Sequence, residues 1–112
     1  MAAPTVTTQA VDLTGASVAR GNGNVTADGG QTITTRGVCI KTSTGPTTSD
    51  TCFTTTGTTG AYTVAMSGLT VTTLYYAKAY AINAGGTSYG SEVTFTTGTP
   101  TSVKKLFELG II

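Results

Sequence analysis

The stretch from Leu69 to Asn83 constrains the fold more than any other: Leu69-Thr70-Val71-Thr72-Thr73-Leu74-Tyr75-Tyr76-Ala77-Lys78-Ala79-Tyr80-Ala81-Ile82-Asn83. From Tyr75 on, residues alternate between two faces, as the period of two in a β-strand requires. Tyr75, Ala77, Ala79 and Ala81 share one face, and Tyr76, Lys78, Tyr80 and Ile82 share the other. A leucine six residues before the first tyrosine marks a tight corner leading into one long strand. The inward alanines are small, so Met66, Val93, Phe95 and Phe53 are expected to fill the core from across.

The flanking sequence breaks into short strand-like runs separated by turn signals. Residues 4–9 read as a first strand around Val6, continued to Thr14 and broken by Gly15. Residues 17–26 read as a second, anchored by Val18 and Val25. Gly21 and Gly23 inside it signal a bulge or a close backbone approach. Ala27-Asp28-Gly29-Gly30 is a turn. Residues 32–42 follow as a strand with Ile33, Val38 and Ile40, and Ser43-Thr44-Gly45-Pro46 breaks it. Val38 and Ile40 favour one inward parity there, while Gly37 and Cys39 leave the other open. Residues 51–56 and 61–67 form two more runs, the second with Tyr62, Val64 and Met66 on one face. Residues 87–97 close the series, with Tyr89, Val93 and Phe95 assigned to one face. Seven short strands at roughly ten-residue spacing predict an all-β sandwich.

These elements jointly resemble a bacterial fibronectin type III-like module over residues 5–97. The resemblance rests on Pro4-Thr5-Val6, Gly23-Asn24-Val25-Thr26-Ala27-Asp28-Gly29-Gly30 and Arg36-Gly37-Val38-Cys39. It also rests on the Leu69–Tyr75 corner, Ala81-Ile82-Asn83-Ala84-Gly85 and Gly90-Ser91-Glu92-Val93-Thr94-Phe95-Thr96-Thr97. It implies a seven-stranded Greek-key sandwich in which Tyr75 bonds back near Leu69. It implies no enzyme activity and no fixed ligand, because this architecture hosts many functions. Val71 replaces the usual corner proline, and Ile40 stands where similar modules often carry tryptophan.

Composition excludes several functions. The 112 residues suit one domain and contain no histidine and no tryptophan. Only 10% are charged, and the net charge is +1, so no basic face for nucleic acid exists. The five carboxylates (Asp12, Asp28, Asp50, Glu92 and Glu108) are scattered, and no base activates the many Ser and Thr hydroxyls. Neither a catalytic residue nor a cofactor is expected. Asp28 and Asp50 flank one strand and are the only candidates for a shared calcium site, but calcium wants six to eight oxygens. Asp28 reads more simply as a turn residue, and no metal is expected. Cys39 and Cys52 form either a disulfide or two buried thiols. No apolar run approaches the roughly 18 residues of a membrane span, so no membrane insertion is expected. Met1-Ala2-Ala3-Pro4 leads straight into the first strand without a secretory pattern. The chain is then either used without classical secretion or is a module to which Met1 was added.

Two surfaces remain as candidates for contact. The first is Tyr76, Lys78, Tyr80 and Ile82, which should face solvent in a two-layer sandwich and could meet a partner or surface glycans. The second is the C-terminal segment after the sandwich, so the chain divides into residues 1–98 and 99–112. Val103, Leu106, Phe107, Leu109, Ile111 and Ile112 give this tail an apolar character, and Ser102 could cap a short helix. Such a helix is marginal alone and needs a surface to lie on. A non-enzymatic assembly protein follows: a phage virion decoration or fibre-base protein, docked by its tail on a capsid or other assembly subunit and exposed on the virion surface. The alternative is a spacer or carbohydrate/cell-adhesion module excised from a secreted multidomain bacterial protein.

Overall fold

The computed structural model describes residues 2–98. Eight strands form two antiparallel sheets, confirming the all-β sandwich. They are β1 (Thr5–Asp12), β2 (Ala19–Ala27), β3 (Thr35–Lys41), β4 (Thr51–Thr55), β5 (Gly60–Met66), β6 (Leu74–Asn83), β7 (Gly86–Tyr89) and β8 (Val93–Thr96). One sheet has the order β1-β2-β5; the other has the order β4-β3-β6-β7, with β8 also paired to β6.

The core lies between the sheets and is uneven in size. Ala77, Ala79 and Ala81 of β6 are fully buried; Gly23 of β2 faces Ala79, and Gly21 packs against Val38 and Val64. The β2–β5 register runs unbroken through both glycines, so they mark close approach and not a bulge. A Cβ at Gly23 would lie 2.6 Å from the Tyr62 hydroxyl oxygen and 2.9 Å from Ala79 Cβ. Tyr62 of β5 needs that space. Its ring crosses the core, and its hydroxyl donates 2.7 Å to the Gly37 carbonyl, with the Tyr80 carbonyl at 3.1 Å. A buried phenol is thereby satisfied by the opposite sheet. The Arg36 guanidinium stacks 4.9 Å from the same ring. Val38 and Ile40 point inward, which settles the parity of β3. Tyr75 and Phe95 stack at 5.4 Å beneath the corner.

The last predicted strand is split, which is why there are eight and not seven. Tyr89 pairs with Tyr80, and Val93 pairs with Ala77. Three residues, Gly90, Ser91 and Glu92, thus oppose the two residues Lys78 and Ala79. One extra residue reverses the face of everything beyond it. Phe95 enters the core, whereas Tyr89 lies beside Tyr80 on the outer face, which corrects its predicted grouping with Val93 and Phe95.

The amino-terminal segment is clamped at the opposite end from the corner. Asn83 is buried, and its amide donates to the carbonyls of Ala2 (2.9 Å) and Asp28 (2.7 Å). Its Oδ1 accepts from the backbone N–H of Gly85 and Gly86. Four hydrogen bonds on one side chain tie the chain start to the β2–β3 connection and the β6–β7 hairpin turn.

Replacing Tyr62 by Phe should cost about 1–3 kcal/mol in urea unfolding, because the buried Gly37 carbonyl loses its donor. Burial pushes the Tyr62 phenol up to about 12. The folded state therefore holds the neutral phenol, and stability should be full below pH 10 and fall from about 10 to 12. Tyr62→Phe should flatten that alkaline loss; an unchanged profile would refute the assignment.

Candidate functional site

At the corner, Leu69 is buried and the Thr70 N–H donates 2.7 Å to the Tyr75 hydroxyl. The hydroxyl closes the turn that carries the chain from one sheet to the other. Thr72 takes a left-handed conformation there, φ 51°. Thr97 locks the corner to the end of β8: its Oγ1 donates 2.7 Å to the Thr70 carbonyl and accepts from the Thr73 N–H at 2.9 Å.

Cys39 and Cys52 are bonded to each other across β3 and β4, where they are direct register partners. The bridge sits on the outer face of the five-stranded sheet, next to Lys78, since Cys39 also pairs with that residue. A bridge over so short a loop is worth about 3 kcal/mol.

The outer face of β6 is not the open surface that alternation suggests. Tyr80 is 3% exposed, so it is no surface contact. Tyr76, Lys78 and Ile82 are half-buried. The cause is the connection between β3 and β4, residues 42–50. It starts and ends on the β3–β4 side of the sheet, yet it is held from beyond β6. Glu92 accepts from the Gly45 N–H at 2.6 Å and from Thr44 Oγ1 at 2.9 Å. Tyr89 Oη accepts from the Thr48 N–H at 3.1 Å. The loop must therefore cross the outer face at Lys78 and Tyr80, and Pro46 within it is fully buried. No local pattern in the sequence announces this cover. Its only trace is the extra residue at 90–92, which turns both Tyr89 and Glu92 toward the loop.

The two aspartates considered for calcium do not meet. Asp28 precedes β3 and Asp50 follows it, so the strand's roughly 23 Å length separates them. Asp50 Oδ2 instead accepts from the Thr47 N–H at 2.8 Å, and its Oδ1 lies 4.0 Å from Lys41 Nζ. Among the described residues no cluster could hold a metal ion.

The apolar surface that remains gathers at one end. The exposed large apolar side chains are Leu13, Val18, Val71, Leu74 and Tyr89; Leu13 is 70% exposed. All but Tyr89 ring the last described residue. Gly98 N–H donates to the Gly15 carbonyl at 2.8 Å, and the Gly98 carbonyl accepts from Thr72 N–H at 3.1 Å. Residues 13–18, 67–74 and 96–98 carry no charge. Leu13, Val18, Ala65 and Met66, together with Arg20, line a groove of about 340 Å³ beside this rim. Val103, Leu106, Phe107, Leu109, Ile111 and Ile112 lie outside the described residues. The rim was not singled out from sequence, because its members come from three separate connections.

Solved structures share this architecture. The short sensor domain of the anti-sigma factor RsgI4 in Pseudobacteroides cellulosolvens matches with a TM-score of 0.58 and 15% identity, over 89% of this chain and 99% of that one. A solution structure of the same sensor domain gives 0.63 and 16%, over 86% and 76%. The fibronectin type III domain of human fibronectin type III domain containing protein 3 gives 0.56 and 20%, over 92% and 94%. The chain has a fibronectin type III-like fold. No protein-family profile and no curated protein matches it.

The Glu92 carboxylate is held below its ordinary value, chiefly by the Gly45 N–H. The clasp is thus complete above the usual carboxylate range and weakens as pH falls through it. The protection of the Gly45 and Thr48 amides from exchange, relative to their intrinsic rates, should fall on acidification, and Glu92→Gln should bring that lower protection to neutral pH. Unaltered exchange in the variant would show that the loop is held otherwise.

Proposed function

We propose that this chain is a non-catalytic structural module that works outside the reducing cytosol and is attached to a larger assembly by its carboxyl-terminal end. The observation that carries this is the uncharged apolar rim around Gly98. Gly98, after which the apolar carboxyl-terminal sequence follows, sits in the middle of that rim, so both would serve attachment to an assembly subunit. Contiguous exposed apolar surface of this kind marks interaction sites. The disulfide supports an oxidising setting such as a particle or cell surface. In its first form this module is a decoration or fibre-base subunit on a phage virion.

The second reading is a spacer or adhesion module within a larger secreted bacterial protein, to which the disulfide and the likeness to a bacterial sensor domain lend equal support. The two differ in the size of the native polypeptide. Glycan contact through Tyr76, Lys78 and Ile82 has less support, since the loop of residues 42–50 already crosses that face.

The test is deletion of residues 100–112. The truncated chain should keep its β-sheet circular dichroism and its cooperative thermal transition, yet be missing from particles purified from cells that make it. Retention at wild-type copy number, counted by peptide mass spectrometry, would overturn the attachment. A native polypeptide much larger than 11.2 kDa on a blot would favour the second reading.

A further inference from the structure

We propose that the cleft between the connection after β5 and the facing ends of β3 and β4 is a binding site for one uncharged sugar ring, such as the terminal hexose of a glycan. The inference goes beyond the attachment reading and does not depend on it.

The cleft has a volume of about 520 Å³, within the usual range for small-molecule sites. Three parts of the chain build it. Lys41 and Thr42 line it from the end of β3, Ser49, Asp50 and Thr51 from the start of β4, and Ser67 from the connection after β5. Its apolar lining residues, Ile40, Leu69 and Tyr75, are core members no more than 7% exposed, so they offer an apolar ligand little to cover. The accessible lining is hydroxyls together with one charge of each sign.

The two charges select among polar ligands. Asp50 is held in a tight turn: its N–H donates 2.9 Å to the Thr47 carbonyl, and its Oδ2 accepts from the Thr47 N–H at 2.8 Å. The Cys39–Cys52 bridge fixes the strand that follows, and Glu92 and Tyr89 hold the loop that precedes. A site fixed in this way loses little freedom on binding. Asp50 Oδ1 then stands 4.0 Å from Lys41 Nζ. That gap is too long for a hydrogen bond, and it admits one oxygen bonded to both groups. The oxygen must accept from the ammonium and donate to the carboxylate, and a hydroxyl does both. A carboxylate or phosphate would meet Lys41 but oppose Asp50. A calcium ion would find one carboxylate where several are wanted. A ring that carries adjacent hydroxyls extends the match. Thr51 and Ser67 are exposed around the same cleft, and their hydroxyls can exchange water for further ring hydroxyls.

The test is titration of the isotopically labelled full chain with glucose, galactose, mannose and N-acetylglucosamine, followed by amide NMR shifts. At least one sugar should shift amides within residues 40–42, 49–51 and 67–69 saturably, with a Kd of about 1–10 mM for so small a ligand. Asp50→Asn and Lys41→Met should each weaken that binding at least tenfold. Thr51→Val keeps the side-chain shape, removes the hydroxyl, and should weaken binding severalfold. Thr63→Ala does not touch the cleft and should bind like wild type. The spectrum of each free variant checks that it is folded. No saturable shift with any of the four sugars, shifts centred elsewhere, or cleft variants that bind like wild type would each overturn the inference. Glycine, whose two charges also match Lys41 and Asp50, is titrated alongside. Shifts of the same amides by glycine at equal or tighter affinity would overturn the sugar in favour of a zwitterion. The isolated chain is measured, so failure here leaves the attachment reading intact, and retention on particles without residues 100–112 leaves the sugar site intact.

Discussion

The hydrogen bond from the Tyr62 hydroxyl to the Gly37 carbonyl ties the two sheets together through the middle of the core. A phenol buried without a partner would cost more than its ring contributes, so the ring is tolerated only where its tip reaches the opposite backbone. That reach demands a trench. Gly23 of β2 supplies one wall, and Ala79, in the run of buried alanines of β6, lies across from it. The alanines of β6 are therefore not a thin spot in the core. They are the complement of one large side chain that enters from β5. Arg36 closes the trench over the ring and donates onward to the carbonyls of Thr56 and Thr58.

A second constraint comes from a single inserted residue. Without it, Tyr89 would point inward with Val93 and Phe95, and the final strand would run continuously beside β6. With it, Tyr89 and Glu92 reach the loop of residues 42–50 and draw it over the outer face of the sheet. The disulfide sits under the same loop and joins the edge strand β4 to β3. One side of the sandwich is thus crossed by a loop, beneath which Tyr80 is buried and to which Tyr89 is hydrogen-bonded. Glu92 helps by bringing a charge-assisted acceptor to the backbone of Gly45, where a neutral side chain would bind more weakly.

What could be read from the sequence was whatever depends on near neighbours. The alternation through Tyr75, Ala77, Ala79 and Ala81 was visible because strand periodicity is local. The corner was visible because Leu69 and Tyr75 are six residues apart. The all-β sandwich followed from the spacing of strands and turns. Three features escaped, each because it joins distant segments. The burial of Tyr80 depends on residues some 30 positions earlier. The meaning of Gly23 depends on Tyr62. The four bonds of Asn83 depend on Ala2 and Asp28, which no pattern around Asn83 discloses. The two aspartates at the ends of β3 show the reverse error, in which proximity to one strand in sequence suggested proximity in space.

These constraints bear on where the molecule can meet a partner. The outer face of the five-stranded sheet is crossed by its own loop, and the amino-terminal end is closed by the Asn83 clamp. A chain with only 10% charged residues cannot protect its remaining surface by repulsion. The rim around Gly98 and the edge of β5 carry no charge, and they meet at the groove between Leu13 and Ala65, which Arg20 also lines. Neither is large, but the two adjoin, and between them they offer unpaired backbone groups together with apolar contact. An edge strand supplies direction and register, while the groove supplies burial. The same end carries Gly98, the last described residue, so under the proposed attachment the direction in which the module is held follows from where β8 stops.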